Sequence, residues 1–86
     1  MFWRKEDLRY TKSAYREVAK FNLAQDEILL CLNMGLDSGE KRKEGIIEKC
    51  LTHQNKTLKV VVAESWDHVE KRIVWRVIHI GQIGKN

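Results

Sequence analysis

Hydrophobic and polar residues follow two different periods along this chain, and the period changes near residue 45. Between residues 10 and 36 apolar side chains recur every three or four positions, which is typical of amphipathic helices. Between residues 45 and 80 they alternate every second position or form β-branched runs, which is typical of strands. The predicted order is therefore helix, helix, strand, strand, strand.

Two helices are predicted, joined by a short corner. Thr11 or Ser13 caps the first helix, because a side-chain hydroxyl there accepts a backbone N–H bond. Asn22 suits the left-handed backbone that ends it. The second helix follows Ala24, a weak cap, and stops at Gly35 as its C′ residue.

Three strands are predicted at residues 45–53, 57–64 and 71–80, after a polar loop at 37–45. A tight turn at 54–56 joins the first two strands and a looser connection joins the last two. Short connections make neighbouring strands antiparallel. The sequence thus predicts an α+β fold in which two N-terminal helices pack on a three-stranded antiparallel meander.

The length of 86 residues predicts one domain, with a lead-in at 1–9, a core at 10–80 and a tail at 81–86. Phe2 and Trp3 in the lead-in either dock on the body or form an apolar end suited to a partner or a homodimer. No apolar run reaches the length of a membrane span, and residues 1–9 lack a secretory h-region. A cytoplasmic protein without a membrane partner is therefore expected.

A formal net charge of +4 and a sequence pI of about 9.2 favour an anionic partner. Lys12, Arg16 and Lys20 recur every four residues, which gathers them on one face of the first helix. Arg9 joins this stripe if the helix begins a turn earlier. A basic stripe on a small protein indicates nucleic acid, and its alternative is a solvated helix face.

The pattern of helix, corner, helix and three strands resembles a small prokaryotic family of unknown function. That family is related to BrnT-type toxins, within the RelE/ParE-like toxin fold. The matching segments are residues 10–14, 22–28, 57–62 and 77–78, and the resemblance extends over most of the chain, from about residue 10 to residue 80. Two signature positions differ: Ser13 replaces a histidine, and Phe21 replaces an arginine before the corner. The resemblance therefore implies the fold more strongly than the activity.

The resemblance implies RNA cleavage by basic side chains on a sheet face, with a neighbouring antitoxin as protein partner. Such chemistry needs cations for the phosphate and a group that moves the 2′-hydroxyl proton. Arg72 and Arg76 share a face of the third strand, and His79, by its period of two, falls on the core side with Trp75. His53 and His68 lie in or beside turns, where surface histidines are common.

The candidate catalytic residues are Arg72, Arg76 and His79, and the candidate nucleic-acid-binding residues are Arg9, Lys12, Arg16, Lys20, Lys49 and Lys59. Trp66 could stack a base. For catalysis, the solvated face of a one-sided sheet is the favoured interpretation of the sheet cations. An RNA-binding protein and a non-catalytic interaction or dimerisation module are therefore both retained as hypotheses.

No metal or cofactor is predicted. Cys31 and Cys50 show no paired metal-ligand spacing with the histidines, and no nucleotide-binding glycine motif is present. Two reduced thiols are expected, although a disulfide could form if a helix and a strand bring them face to face.

Overall fold

The computed structural model describes residues 1–38 and 43–84, and its strands form one five-stranded sheet. The loop residues 39–42, part of the predicted polar loop, lie outside the described residues. The elements in chain order are a 3-10 helix Lys5–Asp7, β1 Leu8–Tyr10, α1 Lys12–Lys20, α2 Gln25–Met34, β2 Leu36–Asp37, β3 Ile46–His53, β4 Lys56–Asp67 and β5 Arg72–Gly84. The strand order is β1-β5-β4-β3-β2.

The predicted three-stranded meander is wrong, because two further strands extend the sheet at both edges. β3, β4 and β5 pair antiparallel in sequence order, but β1 adds parallel to β5 and β2 adds antiparallel to β3. The sheet is therefore mixed. β1 spans three residues and β2 two, which is too short for hydrophobic periodicity to reveal.

The N-terminal segment predicted as a lead-in is part of the fold. Trp3 is only 2% exposed, and its ring meets the ring of Trp75 edge to face at 5.8 Å between centroids. The Asn33 side chain accepts from the Trp3 N–H and donates to the Trp3 carbonyl, both at 2.8 Å. Trp3 therefore docks, whereas Phe2 stays 71% exposed.

The predicted cap and end of α1 are confirmed, and α2 ends before Gly35 as predicted, but the left-handed C′ role of Gly35 is wrong. Thr11 Oγ1 accepts from the Ala14 N–H at 3.1 Å, and Asn22 has a φ of 52° at the corner. Gly35 follows α2 but is extended, with a φ of −74°. A Cβ there would overlap the Cys31 carbonyl oxygen and lie 2.8 Å from that of Cys50. Close backbone approach, not a left-handed turn, is what requires glycine.

Both helices pack on one face of the sheet and bury a single apolar core. The fully buried side chains of this core are Ala14, Ile28, Cys31 and Leu32 from the helices and Val60, Val62, Val77 and Ile80 from the sheet. The other face has no helix on it among the described residues, and we call it the open face.

A β-bulge in β5 changes which side chains reach the open face. Val62 pairs with Val77, but Val61 pairs with His79, so Ile78 is an extra residue in β5. Beyond the bulge Ile80 takes a core position, and His79 turns to the open face, where Arg76 also lies. The prediction that His79 shares the core side with Trp75 is therefore wrong. β5 then continues through the predicted tail to Gly84.

Candidate functional site

The edge of β5 is the place where α1 meets the sheet through a carboxylate. β1 ends at Tyr10, opposite Val77, so the following part of β5 has no neighbouring strand on that side. Glu17 of α1 fills this gap. Its Oε1 accepts from the Ile80 N–H at 3.0 Å, and its Oε2 lies 3.1 Å from His79 Nδ1. One carboxylate thus satisfies an edge N–H and orients an imidazole.

The imidazole of His79 is held at one nitrogen and open at the other. Its side chain is 49% exposed, and Nδ1 lies at ion-pair distance from Glu17, so Nε2 is the ring nitrogen that lies away from the carboxylate. A Cβ built on Gly81 would lie 3.6 Å from His79 Nε2 and 3.6 Å from Lys59 Cε. These are ordinary van der Waals distances, so Gly81 lies between the imidazole and the Lys59 chain.

Two cations flank His79 on the open face. In the sheet Arg76 pairs with Ala63, and Lys59 pairs with Gly81. His79 pairs with Val61 between these two pairs, so one cation lies on each side of it. Arg76 is exposed and Lys59 is half-buried. Within residues 1–38 and 43–84 neither forms an ion pair. An oriented imidazole between two cations has the groups that proton transfer at a phosphate ester requires.

Arg72 lies elsewhere, in an ion-pair network that joins β5 to the N-terminal segment. Its Nη1 is 2.9 Å from Asp7 Oδ1, its Nε is 2.8 Å from Glu70 Oε1, and Nη2 donates to the Glu6 carbonyl. These bonds raise the pKa of Arg72. The pKa of Asp7 is lowered, first by the Arg4 backbone N–H and then by Arg72. The charge of Arg72 is therefore already matched.

Arg9 and Lys49 are matched in the same way. Arg9 belongs to β1, not to a helix, and it forms an ion pair with Glu70. The condition under which Arg9 would join the helix stripe is not met, because α1 begins at Lys12. Lys49 Nζ lies 2.9 Å from Asp37 Oδ1 across β2 and β3.

The remaining helix cations stay exposed on the outward face of α1. Lys12, Arg16 and Lys20 have no carboxylate at ion-pair distance in the described part of the chain, and Lys20 Nζ lies 5.5 Å from the Phe21 ring centroid. Arg16 directly precedes Glu17, so the stripe borders the β5 edge. Three of the six predicted binding cations therefore form one helix face, and Lys59 joins the open face beside His79.

Glu17 is the residue that sequence reasoning missed. It lies on the flank of α1 between the basic stripe and the apolar side, which is a position that a sheet edge can reach. The positions of its partners His79 and Ile80, however, depend on the bulge at Ile78, far along the chain. The other proton-transfer candidates, His53 and His68, are exposed in or beside turns, and Trp66 lies near the far end of the β4–β5 hairpin.

The two thiols are free and lie on opposite faces of the sheet. Cys31 is buried under the helices, whereas Cys50 pairs with Lys59 and so lies on the open face. Burial raises the pKa of the Cys31 thiol to about 12. No group of three metal-ligating side chains occurs among the residues that the structure describes.

Comparison with known proteins yields no match to any family model, curated protein or solved structure. Neither helix in the described ranges has the length and apolar character needed to cross a bilayer.

Proposed function

We propose that this protein binds RNA along the β5 surface, which we define as Lys12, Arg16, Lys20, Lys59, Arg76 and His79. The observation that carries the proposal is the division of the predicted site cations into two classes. Arg9, Arg72 and Lys49 are matched by carboxylates. The cations of the β5 surface are not matched within the described residues, and the Glu17–His79 contact joins their two groups. Unmatched cations on the helix side and on the open face, joined at the β5 edge, favour a polyanion that crosses this edge.

RNA is preferred over DNA because only RNA has a 2′-hydroxyl, whose proton the His79 imidazole could take. If the site cleaves, Nε2 takes the 2′-hydroxyl proton and the 2′-oxygen attacks the adjacent phosphorus. The bond to the 5′-oxygen breaks, that oxygen takes up a proton, and a 2′,3′-cyclic phosphate remains. Arg76 and Lys59 would stabilise the charge that develops on the phosphate oxygens. This chemistry agrees with the proposed RelE/BrnT-like relationship and with action in the cytoplasm.

Binding is tested with a fluorescently labelled single-stranded RNA, by anisotropy at low salt. The double variant Lys12→Glu, Arg16→Glu should lose at least tenfold in affinity. The matched control is Lys5→Glu, Lys71→Glu, which makes the same change in net charge near the opposite end of β5. The control should lose much less. Equal losses in the two variants would show that net charge alone drives binding and would overturn the proposed surface.

Cleavage needs a separate readout, the RNA products of overnight incubation on a denaturing gel. Wild-type cleavage that disappears in His79→Ala, with RNA affinity retained, would support the catalytic part of the proposal. Intact RNA with wild-type protein would restrict the function to binding. Growth of cells expressing wild-type or His79→Ala protein would show whether the activity is toxic. Inhibition by the wild-type protein alone would justify a search for an antitoxin.

A protein-binding role is the second candidate function. Phe2, Leu30 and Met34 are exposed apolar side chains that line one shallow groove of about 520 Å³ beside α2. This groove favours a second copy of the chain or an antitoxin-like partner. Sedimentation velocity of wild-type and Phe2→Ser protein distinguishes the cases. A wild-type monomer at high concentration would exclude the homodimer.

A further inference from the structure

A cleft between α1, α2 and β1 has the size of a single planar ring system. It is lined by Tyr10, Tyr15, Val18, Gln25 and Ile28 and has a volume of about 190 Å³. For comparison, an engineered apolar cavity of about 150 Å³ accepts benzene. The cleft is therefore large enough for an aromatic ring but too small for most drug-sized ligands.

The cleft contains a polar group that the protein itself does not use. The Tyr10 hydroxyl is buried and has no hydrogen-bond partner among the described residues. Burial raises the pKa of Tyr10, and the nearby Gln25 side chain opposes part of that rise. Most buried hydroxyls are hydrogen-bonded. The Tyr10 hydroxyl has less than 1 Å² of accessible surface, so a base reaches it and the Gln25 amide only after a small shift of these side chains.

The rim of the cleft carries an exposed ring and a cation. Tyr15 is 68% exposed, and its ring meets that of Tyr10 at 5.9 Å between centroids and an interplanar angle of 63°. Lys12 precedes Tyr15 by three residues, so the two are neighbours on the surface of α1. A ring stacked on Tyr15 would therefore have a positive charge of the β5 surface nearby.

We propose that this cleft binds one unstacked nucleobase of the RNA, with Tyr15 stacking on the base and Lys12 contacting the adjoining phosphate. Tyr10 Oη and the Gln25 amide contact the edge of the base and give the site a base preference. The proposal rests on the proposed function, since it names how the same surface reads its ligand. Base stacking on aromatic side chains combined with cationic contacts is the usual mode of single-strand recognition.

Three variants test the cleft by RNA anisotropy. Tyr15→Ala should weaken binding roughly tenfold to a hundredfold, which is the range that one stacked base provides. Val69→Ala, which truncates an exposed apolar side chain outside every proposed site, should leave affinity unchanged. Tyr10→Phe keeps the packing and removes only the hydroxyl, so it should reduce the affinity difference among homopolymeric RNAs. Wild-type affinity and base preference in both tyrosine variants would overturn the proposal.

Mononucleotides separate this inference from the proposed function. Titration with AMP, GMP, CMP and UMP, followed by amide NMR shifts, should move the resonances of Tyr15 and Gln25 more with one base than with the others. RNA binding that depends on Lys12 and Arg16, without cleft shifts or a Tyr15 effect, would sink the base pocket alone. Cleft shifts without RNA binding would support the pocket and remove the proposed function. If neither RNA binding nor cleft shifts are observed, both proposals are refuted.

Discussion

The contact between Asn33 and Trp3 should decide whether the N-terminal segment belongs to the folded sheet. Asn33 on α2 makes two hydrogen bonds of 2.8 Å to the backbone of Trp3, and Trp3 packs against Trp75 of β5. Because β1 follows only a few residues later, these contacts also position the first strand. We therefore expect Asn33→Ala to loosen the segment and destabilise the whole domain.

The magnitude follows from the groups involved. Two hydrogen bonds contribute about 0.5–1.5 kcal/mol each, so Asn33→Ala should lower the free energy of unfolding by about 1–3 kcal/mol. Trp3→Ala removes a side chain that is 2% exposed and should cost about 3–5 kcal/mol. Domains of this kind have about 5–15 kcal/mol in total. The tryptophan variant should therefore be marginally folded at 25 °C.

Urea denaturation followed by circular dichroism provides the measurement. Met34→Ala is the matched control, because Met34 neighbours Asn33 on the same helix and is exposed. Its free energy of unfolding should change by less than about 0.5 kcal/mol. The reasoning fails if Asn33→Ala has the same urea midpoint as Met34→Ala, since Trp3 would then be held by packing alone.

Four further predictions concern other parts of the molecule. The slope of log affinity for single-stranded RNA against log salt should fall by about 0.7 in Lys12→Ala, one phosphate contact, and an unchanged slope would place Lys12 outside the interface. Because burial raises the pKa of the Cys31 thiol to about 12, Cys31 should carry far less thiolate at pH 8 than an exposed thiol. Iodoacetamide and mass spectrometry at pH 8 should therefore label Cys50 first, and equal labelling rates in native protein would contradict the burial of Cys31. Since the folded-state pKa of Asp7 is lowered, its contribution to stability is present above the ordinary carboxyl pKa and is lost as pH falls through the lowered value. Asp7→Asn should accordingly flatten the loss of stability as the pH falls below the ordinary carboxyl pKa in urea titrations, and an unchanged acid limb would argue against the bonds from the Arg4 N–H and Arg72. Gly35→Ala should cost about 1–3 kcal/mol because its Cβ would meet two carbonyl oxygens, and a wild-type melting temperature would show that the strand can move aside.

The features that the sequence revealed are those set by nearby residues. Thr11 caps α1 because its own third neighbour supplies the N–H, and Asn22 ends it through its own backbone preference. The pairing of β3 with β4 follows from a tight turn in which Gln54 and Asn55 both have positive φ. Each of these depends on a few consecutive residues, so a single sequence contains the whole signal.

The features that it could not reveal depend on residues far apart in the chain. β1 forms because Trp3 docks on Asn33, 30 positions away. The charge of Arg72 is matched by Asp7, 65 positions away. The bulge at Ile78 is different, because it leaves a local trace: Val77 and Ile78 are adjacent apolar residues that interrupt the alternation, whereas a strict period of two puts His79 on the core side. One extra residue was enough to turn His79 from the core to the open face.

The short length of β1 is what makes the candidate site geometrically available. Had β1 continued beyond Tyr10, its backbone would have taken the Ile80 N–H, and Glu17 would have had no place at the sheet edge. Because it stops there, a helix carboxylate completes the edge and holds His79 at the same time. The bulge then supplies the second requirement, since it turns His79 toward Arg76 and Lys59. Two departures from a regular sheet, a truncated edge strand and one inserted residue, therefore place the imidazole between the helix stripe and the open-face cations.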